Sequence, residues 1–198
     1  SRLHPYTNTE WPNLILRNLL DNEGFRNEFI NRIANYLNTA FTPERVSEVI
    51  DSIHSGIEAE MNEHIYRWSN PSSRHAWDQT VDKMYVFASQ RPDFVRRHIR
   101  DYFGISRTID LTVDANRSGT GHVRIEGMDI VSSTPGVGPN PYPWKGTYFR
   151  AIPLKLEAVP VKGYKFSHWT DASGELVSDE KTISISPTVN TQIQANFV

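Results

Sequence analysis

The chain has 198 residues, of which 38% are hydrophobic and 11% aromatic, and it contains no cysteine. Its length suits one domain or two small ones with a real hydrophobic core, and the missing cysteines exclude disulfides, thiolate metal sites and cysteine nucleophiles. The net charge is −2, with 13 basic and 14 acidic residues up to position 107 and 8 and 9 after it. No half is therefore basic enough to hold a polyanion by bulk charge, and no nucleic-acid partner is expected.

No apolar run approaches the roughly 18 residues a membrane span needs. No basic segment followed by an apolar stretch opens the chain, so a signal peptide is not expected either. Because the chain opens with Ser1 rather than methionine, it is expected to be an excised or processed piece, with any signal or lipid anchor lost upstream.

In chain order, Trp11–Leu20 reads as a short apolar helix with Pro12 in its first turn. Asp21 can cap a second helix with the stripe Phe25, Phe29, Ile33 and Leu37. Thr42, Pro43 and Glu44 give a start signal of N-cap hydroxyl, N1 proline and first-turn acid. Val46, Val49, Ile50, Ile53, Ile57, Met61 and Ile65 then recur at three- and four-residue steps, predicting a helix of about six turns. After a polar loop over Ser69–Ser73, Trp77, Val81, Met84 and Ala88 mark a fourth helix. Pro92 opens a fifth, carrying Phe94, Val95, Ile99, Tyr102 and Phe103 and ending at Gly104.

After Ser106 the period changes to two. Ile109, Leu111 and Val113 alternate with polar residues, and His122–Glu126 follows a turn-rich Asn116–Gly121, a hairpin signal. Tyr148–Ile152, Leu154–Val159, Tyr164–Trp169, Lys181–Ser186 and Gln192–Val198 continue as strands, whereas the proline- and glycine-rich Val131–Gly146 reads as a long loop. The expected fold is α+β in two domains. Residues 1–106 form an all-α bundle of about five helices, and 107–198 a small antiparallel β-sandwich or barrel, joined near Ile105–Thr108.

Leu19-Leu20-Asp21-Asn22-Glu23-Gly24-Phe25-Arg26 and Phe29-Ile30-Asn31-Arg32 begin a series of motifs. Thr39-Ala40-Phe41-Thr42-Pro43-Glu44-Arg45, Arg67-Trp68, Trp77 and Ala88-Ser89-Gln90-Arg91-Pro92 complete it. In order and spacing these resemble the C-terminal helical part of the CotH family, spore-coat-protein-H-like atypical kinases. The resemblance implies a parent that uses ATP and a divalent metal to phosphorylate serine on partner proteins or on itself. It also implies an extracellular or cell-surface location in a bacterium.

The family's nucleotide- and metal-binding residues would lie ahead of the matched segment. The chain has no Asp-x-Asp, no Gly-x-Gly-x-x-Gly and no Gly-Lys-Ser/Thr, and phosphoryl transfer needs metal-holding carboxylates and a cation on the phosphates. No catalytic residue, metal ligand or cofactor is therefore assigned to the chain.

Ala158-Val159-Pro160, Gly163-Tyr164-Lys165-Phe166, Trp169 and Ala195-Asn196-Phe197 resemble divergent internalin-type B-repeats, small β modules of surface and secreted proteins. Pro143-Trp144-Lys145-Gly146-Thr147-Tyr148-Phe149 is similar to the lead-in strand of such a module after a CotH-like region. Modules of this kind act as spacers or adhesive units.

Other clusters read more plainly. Asp114-Ala115-Asn116-Arg117-Ser118-Gly119 starts like a calcium loop, but its twelfth position falls on Ile125, so a turn is expected. His54/Glu58 and Glu60/His64 are helical i, i+4 pairs about 200° apart, hence a solvated face rather than one metal site. Arg96, Arg97 and Arg100, with His98, form a basic cluster in which Asp93 and Asp101, four residues either side of Arg97, can neutralise it, so a solvated, salt-bridged face is expected. Trp11, Trp68, Trp77 and Trp169 fall in periodic apolar patterns and are expected in the core.

Tyr142 and Trp144 sit in the proline-rich loop, where aromatics can stack on a sugar ring or a partner, although Trp144 equally suits a lid on the sandwich edge. The leading expectation is a non-catalytic structural or presenting piece of a CotH-like protein. The alternative is a module binding a surface glycan or coat-type protein through Tyr142 and Trp144, and kinase activity would belong to the full-length parent.

Overall fold

The computed structural model describes residues 14–198, so Trp11 and Pro12 lie outside the described residues. The helical half comprises α1 (Leu14–Asp21), α2 (Glu23–Leu37), α3 (Pro43–Ile57), α4 (Met61–Trp68) and α5 (Arg74–Phe103). A 3₁₀ turn, Glu58–Glu60, separates α3 from α4, and α5 runs unbroken through the segment expected to hold two helices, so the helices of the described residues divide differently from the expected bundle.

Two local effects explain the difference. Gly56, which weakens a helix interior, directly precedes the end of α3 at Ile57 and interrupts the expected long helix. Pro92, by contrast, starts nothing: it is buried inside the 30-residue α5. The apolar positions 77, 81, 84, 88, 92, 95 and 99 keep helical spacing through the proline, and burial there outweighs its cost of about 3 kcal/mol.

The caps follow side-chain chemistry. Asn22, not Asp21, caps α2 by accepting the Phe25 N–H at 3.0 Å, Thr42 caps α3 through the Arg45 N–H at 3.3 Å, and Ser73 caps α5 through the Ala76 N–H at 3.1 Å. Gly104, at φ 67°, ends α5 in the left-handed region that favours glycine. Trp77 is buried, but Trp68 is 65% exposed and leaves the expected core.

The β half has nine strands in two sheets: β1 (Thr108–Ala115), β2 (Gly121–Ile125), β3 (Met128–Asp129), β4 (Trp144–Phe149), β5 (Leu154–Pro160), β6 (Phe166–Asp171), β7 (Leu176–Ser178), β8 (Thr182–Ile185) and β9 (Thr191–Phe197). One sheet runs β4-β1-β9-β6-β7 and the other β3-β2-β5-β8. Their inward residues, including Leu111, Val123, Leu156 and Trp169, form one buried cluster, as expected of a sandwich, and no barrel closes.

Two sequence expectations change. β1 and β2 are not a hairpin, because β1 lies between β4 and β9 while β2 pairs with β3 and β5 in the other sheet. Nor is the β half wholly antiparallel, since β1 runs parallel to β9, with Val113 opposite Ile193. Alternation of apolar residues fixes which face is buried but carries no information about the neighbouring strand. Gly121 belongs to this geometry, because a side chain there would strike the Phe197 ring.

β1 is thus an interior strand of its sheet, with β4 on one side and β9, β6 and β7 on the other. A fragment holding only 137–198 would lose this strand and expose its neighbours' backbone edges. Residues 137–198 expressed alone should therefore lack dispersed amide resonances and a cooperative thermal transition, and a cooperative melt of that fragment would show that β1 is dispensable.

Candidate functional site

Among the described residues, polar side chains converge most densely where α2 meets the β half. On a helix, positions 31, 35 and 38 share one face, and here all are asparagine. The Asn31 amide donates to the Pro153 carbonyl at 2.7 Å and to Glu126 Oε1 at 3.2 Å. The Asn35 amide donates to the Ile125 carbonyl at 3.0 Å, and its oxygen accepts the Tyr148 hydroxyl at 2.7 Å. Asn38 donates to the Thr147 carbonyl at 2.9 Å and accepts the Thr147 N–H at 3.0 Å.

The last pair reproduces what a neighbouring strand would offer. β4 is an edge strand, and the Asn38 amide satisfies both of its outward backbone groups at Thr147, removing a template for unwanted pairing. Apolar contacts support the same face, since Ile30 and Ala34 of α2 and Ile99 of α5 join the buried cluster of the β half. Gly136, at φ 80°, lies against the Thr39 backbone, where a side chain would collide with the Thr39 carbonyl.

Electrostatics tighten the seam. Arg96 donates to Asn38 Oδ1 at 3.0 Å and to the Leu37 carbonyl at 3.3 Å, neutralising the C-terminal end of α2. Arg96 is thereby a structural cation rather than part of a solvated basic face, and burial pulls its pKa below the usual arginine value. Burial pushes the fully enclosed Tyr148 hydroxyl up, so it remains the donor to Asn35. Lys145, 2.7 Å from Asp110, holds that carboxyl below the ordinary range against the opposing effect of burial, with help from the Thr147 hydroxyl.

The asparagine stripe was the signal that sequence reading passed over. Asparagine is a poor helix former, and its recurrence at i, i+4 and i+7 along α2 and its C-cap marks a polar contact line.

Of the two loop aromatics, Trp144 packs beside the seam and Tyr142 bonds the backbone of the β half. Trp144 is 7% exposed and packs edge-on against Tyr148, its ring covering the space that a side chain at Gly146 would fill. Tyr142 is half-buried, with its hydroxyl accepting the Val123 N–H at 2.6 Å and donating to the Ile130 carbonyl at 2.9 Å. The two side chains do not form a displayed pair. Burial pushes the Tyr142 hydroxyl up as well.

The remaining clusters have structural partners. His54 stacks on Trp77 at 4.4 Å, Glu58 pairs with Arg74 at 2.6 Å, and His64 bonds the Asn70 carbonyl at 2.9 Å. Asn116 is spent on β9, donating to the Phe197 carbonyl and accepting its N–H, so its amide is not turned to a cation. No group of acidic or histidine side chains suited to a metal occurs among the described residues. An apolar hollow of about 640 Å³, lined by Tyr36, Phe41, Val49 and Phe87 among others, opens between α2, α3 and α5.

Comparison with known families agrees with this layout. Residues 1–95 match the CotH kinase protein family, and residues 137–198 match the divergent InlB B-repeat domain. The chain is thus a CotH-like helical part followed by a B-repeat module, in that order. No curated protein and no solved structure matches it. The B-repeat match takes in β4–β9, and β1 to β3 lie in the stretch between the two matches.

Asn35→Ala should cost about 2–4 kcal/mol in urea unfolding, because it strands both the Tyr148 hydroxyl and the Ile125 carbonyl. Arg32→Ala, which removes only an exposed pair with Glu28, should stay within about 0.5 kcal/mol. Equal effects would show that the seam contributes nothing special.

The depressed Asp110 pKa makes a signed prediction. Its contribution is present above the ordinary carboxylate range and is lost as pH falls through the lower folded-state value. Stability of the parent chain should therefore drop more steeply below about pH 4 than that of Asp110→Asn, as measured by urea midpoints across the acid range.

Proposed function

We propose that this chain is a non-catalytic structural and presenting module, in which a CotH-type helical segment is held in fixed orientation on a B-repeat β unit. The observation carrying the reading is the α2 asparagine face, whose amides bond the backbone of the β half at Ile125, Thr147 and Pro153. A flexible tether would need no such complementarity. Here the two halves also share apolar core through Ile30, Ala34 and Ile99, so the position of one determines that of the other. The two family matches support a reading of surface or coat association, and no described helix is long and apolar enough to cross a membrane.

Phosphoryl transfer, with ATP and a divalent metal, belongs on this reading to the full-length parent. Support comes from the sequence, which lacks the Asp-x-Asp and glycine-rich phosphate motifs that the chemistry uses. Incubation of the 198-residue chain with labelled ATP and Mg²⁺ or Mn²⁺ should give no incorporation into itself or an acceptor protein. Stoichiometric labelling would overturn the non-catalytic assignment.

Fixed orientation has its own test. Because the chain has no cysteine, spin labels at exposed Asn62→Cys and Ala172→Cys report one distance without background. The distribution should be narrow in the parent and broader with Asn35→Ala added, whereas a broad distribution in both would reject the rigid-coupling reading.

The second reading is a glycan- or protein-binding β unit. Burial of Trp144 removes the stacking surface first ascribed to it, but Tyr142 borders a cleft of different composition.

A further inference from the structure

The β half carries a cleft of about 590 Å³ between the turn that follows β1 and the loop preceding β4. That volume falls within the range of small-ligand pockets. Pro141, Tyr142 and Val161 supply apolar wall, and Asp114, His122 and Asn140 supply polar groups, with no lysine or arginine in the lining.

The composition narrows the ligand class. A phosphate or nucleotide needs cationic partners, which the lining lacks, and the Asp114 carboxylate would repel an anion. A purely apolar ligand would strip water from the Asp114 carboxylate and the Asn140 amide without replacing it. A neutral saccharide meets both demands, because its ring offers C–H surface to proline and tyrosine and its hydroxyls offer donors to carboxylate, imidazole and amide oxygen.

The site is also organised before any ligand arrives. The Tyr142 hydroxyl is bonded on two sides, to the Val123 N–H and the Ile130 carbonyl, so the phenol is fixed. His122 Nε2 lies 2.9 Å from Asp129 Oδ1, and Arg124 Nε holds the same oxygen at 2.7 Å. With Nε2 carrying the proton toward Asp129, Nδ1 is left as an acceptor. Asp114 Oδ1 accepts the neighbouring Ala115 N–H at 2.8 Å, which steadies the carboxylate.

We propose that this cleft binds neutral hexose or N-acetylhexosamine units, with Asp114, His122 and Asn140 accepting or donating to ring substituents and Tyr142 and Pro141 forming the wall. The inference rests on the reading of the β half as a binding unit and is independent of rigid coupling to the helices.

The test titrates the full chain with N-acetylglucosamine trimer, mannotriose and a sialylated trisaccharide, followed by amide chemical-shift mapping and calorimetry. A neutral trimer should bind saturably with shifts confined to residues around 114–122 and 130–142. Asp114→Ala should weaken binding about tenfold or more, as should Asn140→Ala on the exposed loop, which serves if the first variant melts lower than the parent. Phe87→Ala, in the helical half, should leave binding unchanged. No saturable shift with either neutral probe up to about 10 mM, equal or tighter binding of the sialylated probe, or shifts mapping outside the cleft would each overturn the proposal. None of these outcomes bears on the spin-label distances, so failure here is separable from failure of the structural reading.

Discussion

The architecture hinges on the side-chain amides of Asn31, Asn35 and Asn38, which bond the β half from one face of α2. Burying an amide costs free energy unless its donor and acceptor are both matched, so such a stripe is tolerable only against a partner of fixed geometry. The partners are mostly backbone, the carbonyls of Ile125, Pro153 and Thr147 and the Thr147 N–H, joined by the Tyr148 hydroxyl and the Glu126 carboxylate. Matching to backbone ties the helix chiefly to fixed main-chain positions. Loss of one amide would leave unsatisfied groups on both sides, which makes the contact all-or-none.

A second constraint runs through the chain order. α5 ends at Gly104, and within a few residues the chain becomes β1, the strand between β4 and β9. The stretch connecting the two family matches therefore supplies an interior strand of the larger sheet instead of acting as a loose linker. Helical half and β unit are coupled covalently through β1 and non-covalently through α2. The α2 coupling reaches both sheets, because Asn38 covers the β4 edge of the larger one and Asn35 bonds Ile125 of β2 in the other.

This arrangement leaves functional surface at two places with different chemistry. The hollow among α2, α3 and α5 is lined chiefly by apolar side chains, with Val49 and Phe87 exposed at 40% and 60%. The cleft beside Tyr142 mixes carboxylate, imidazole and amide with proline and tyrosine. The rigid seam lies between the halves, and its amides bond mainly to groups across it, although the buried Asn31 Oδ1 and Arg96 Nε have no hydrogen-bond partner. It can position such surfaces.

Much of the chain was readable without coordinates. Thr42-Pro43-Glu44 starts α3, Gly104 ends α5, and the change from a period of three to four to a period of two marks the passage from helices to strands. These are local effects: capping, backbone preference and the spacing of apolar residues act within a few positions. The two family resemblances were legible for the same reason, as ordered strings of residues. Tertiary structure alone decided that α5 continues through Pro92, that β1 lies parallel to β9, that Trp144 turns inward and that Arg96 closes the end of α2. Each depends on a surface contributed by residues distant in the chain, and a one-dimensional pattern specifies which face is apolar without specifying what will cover it.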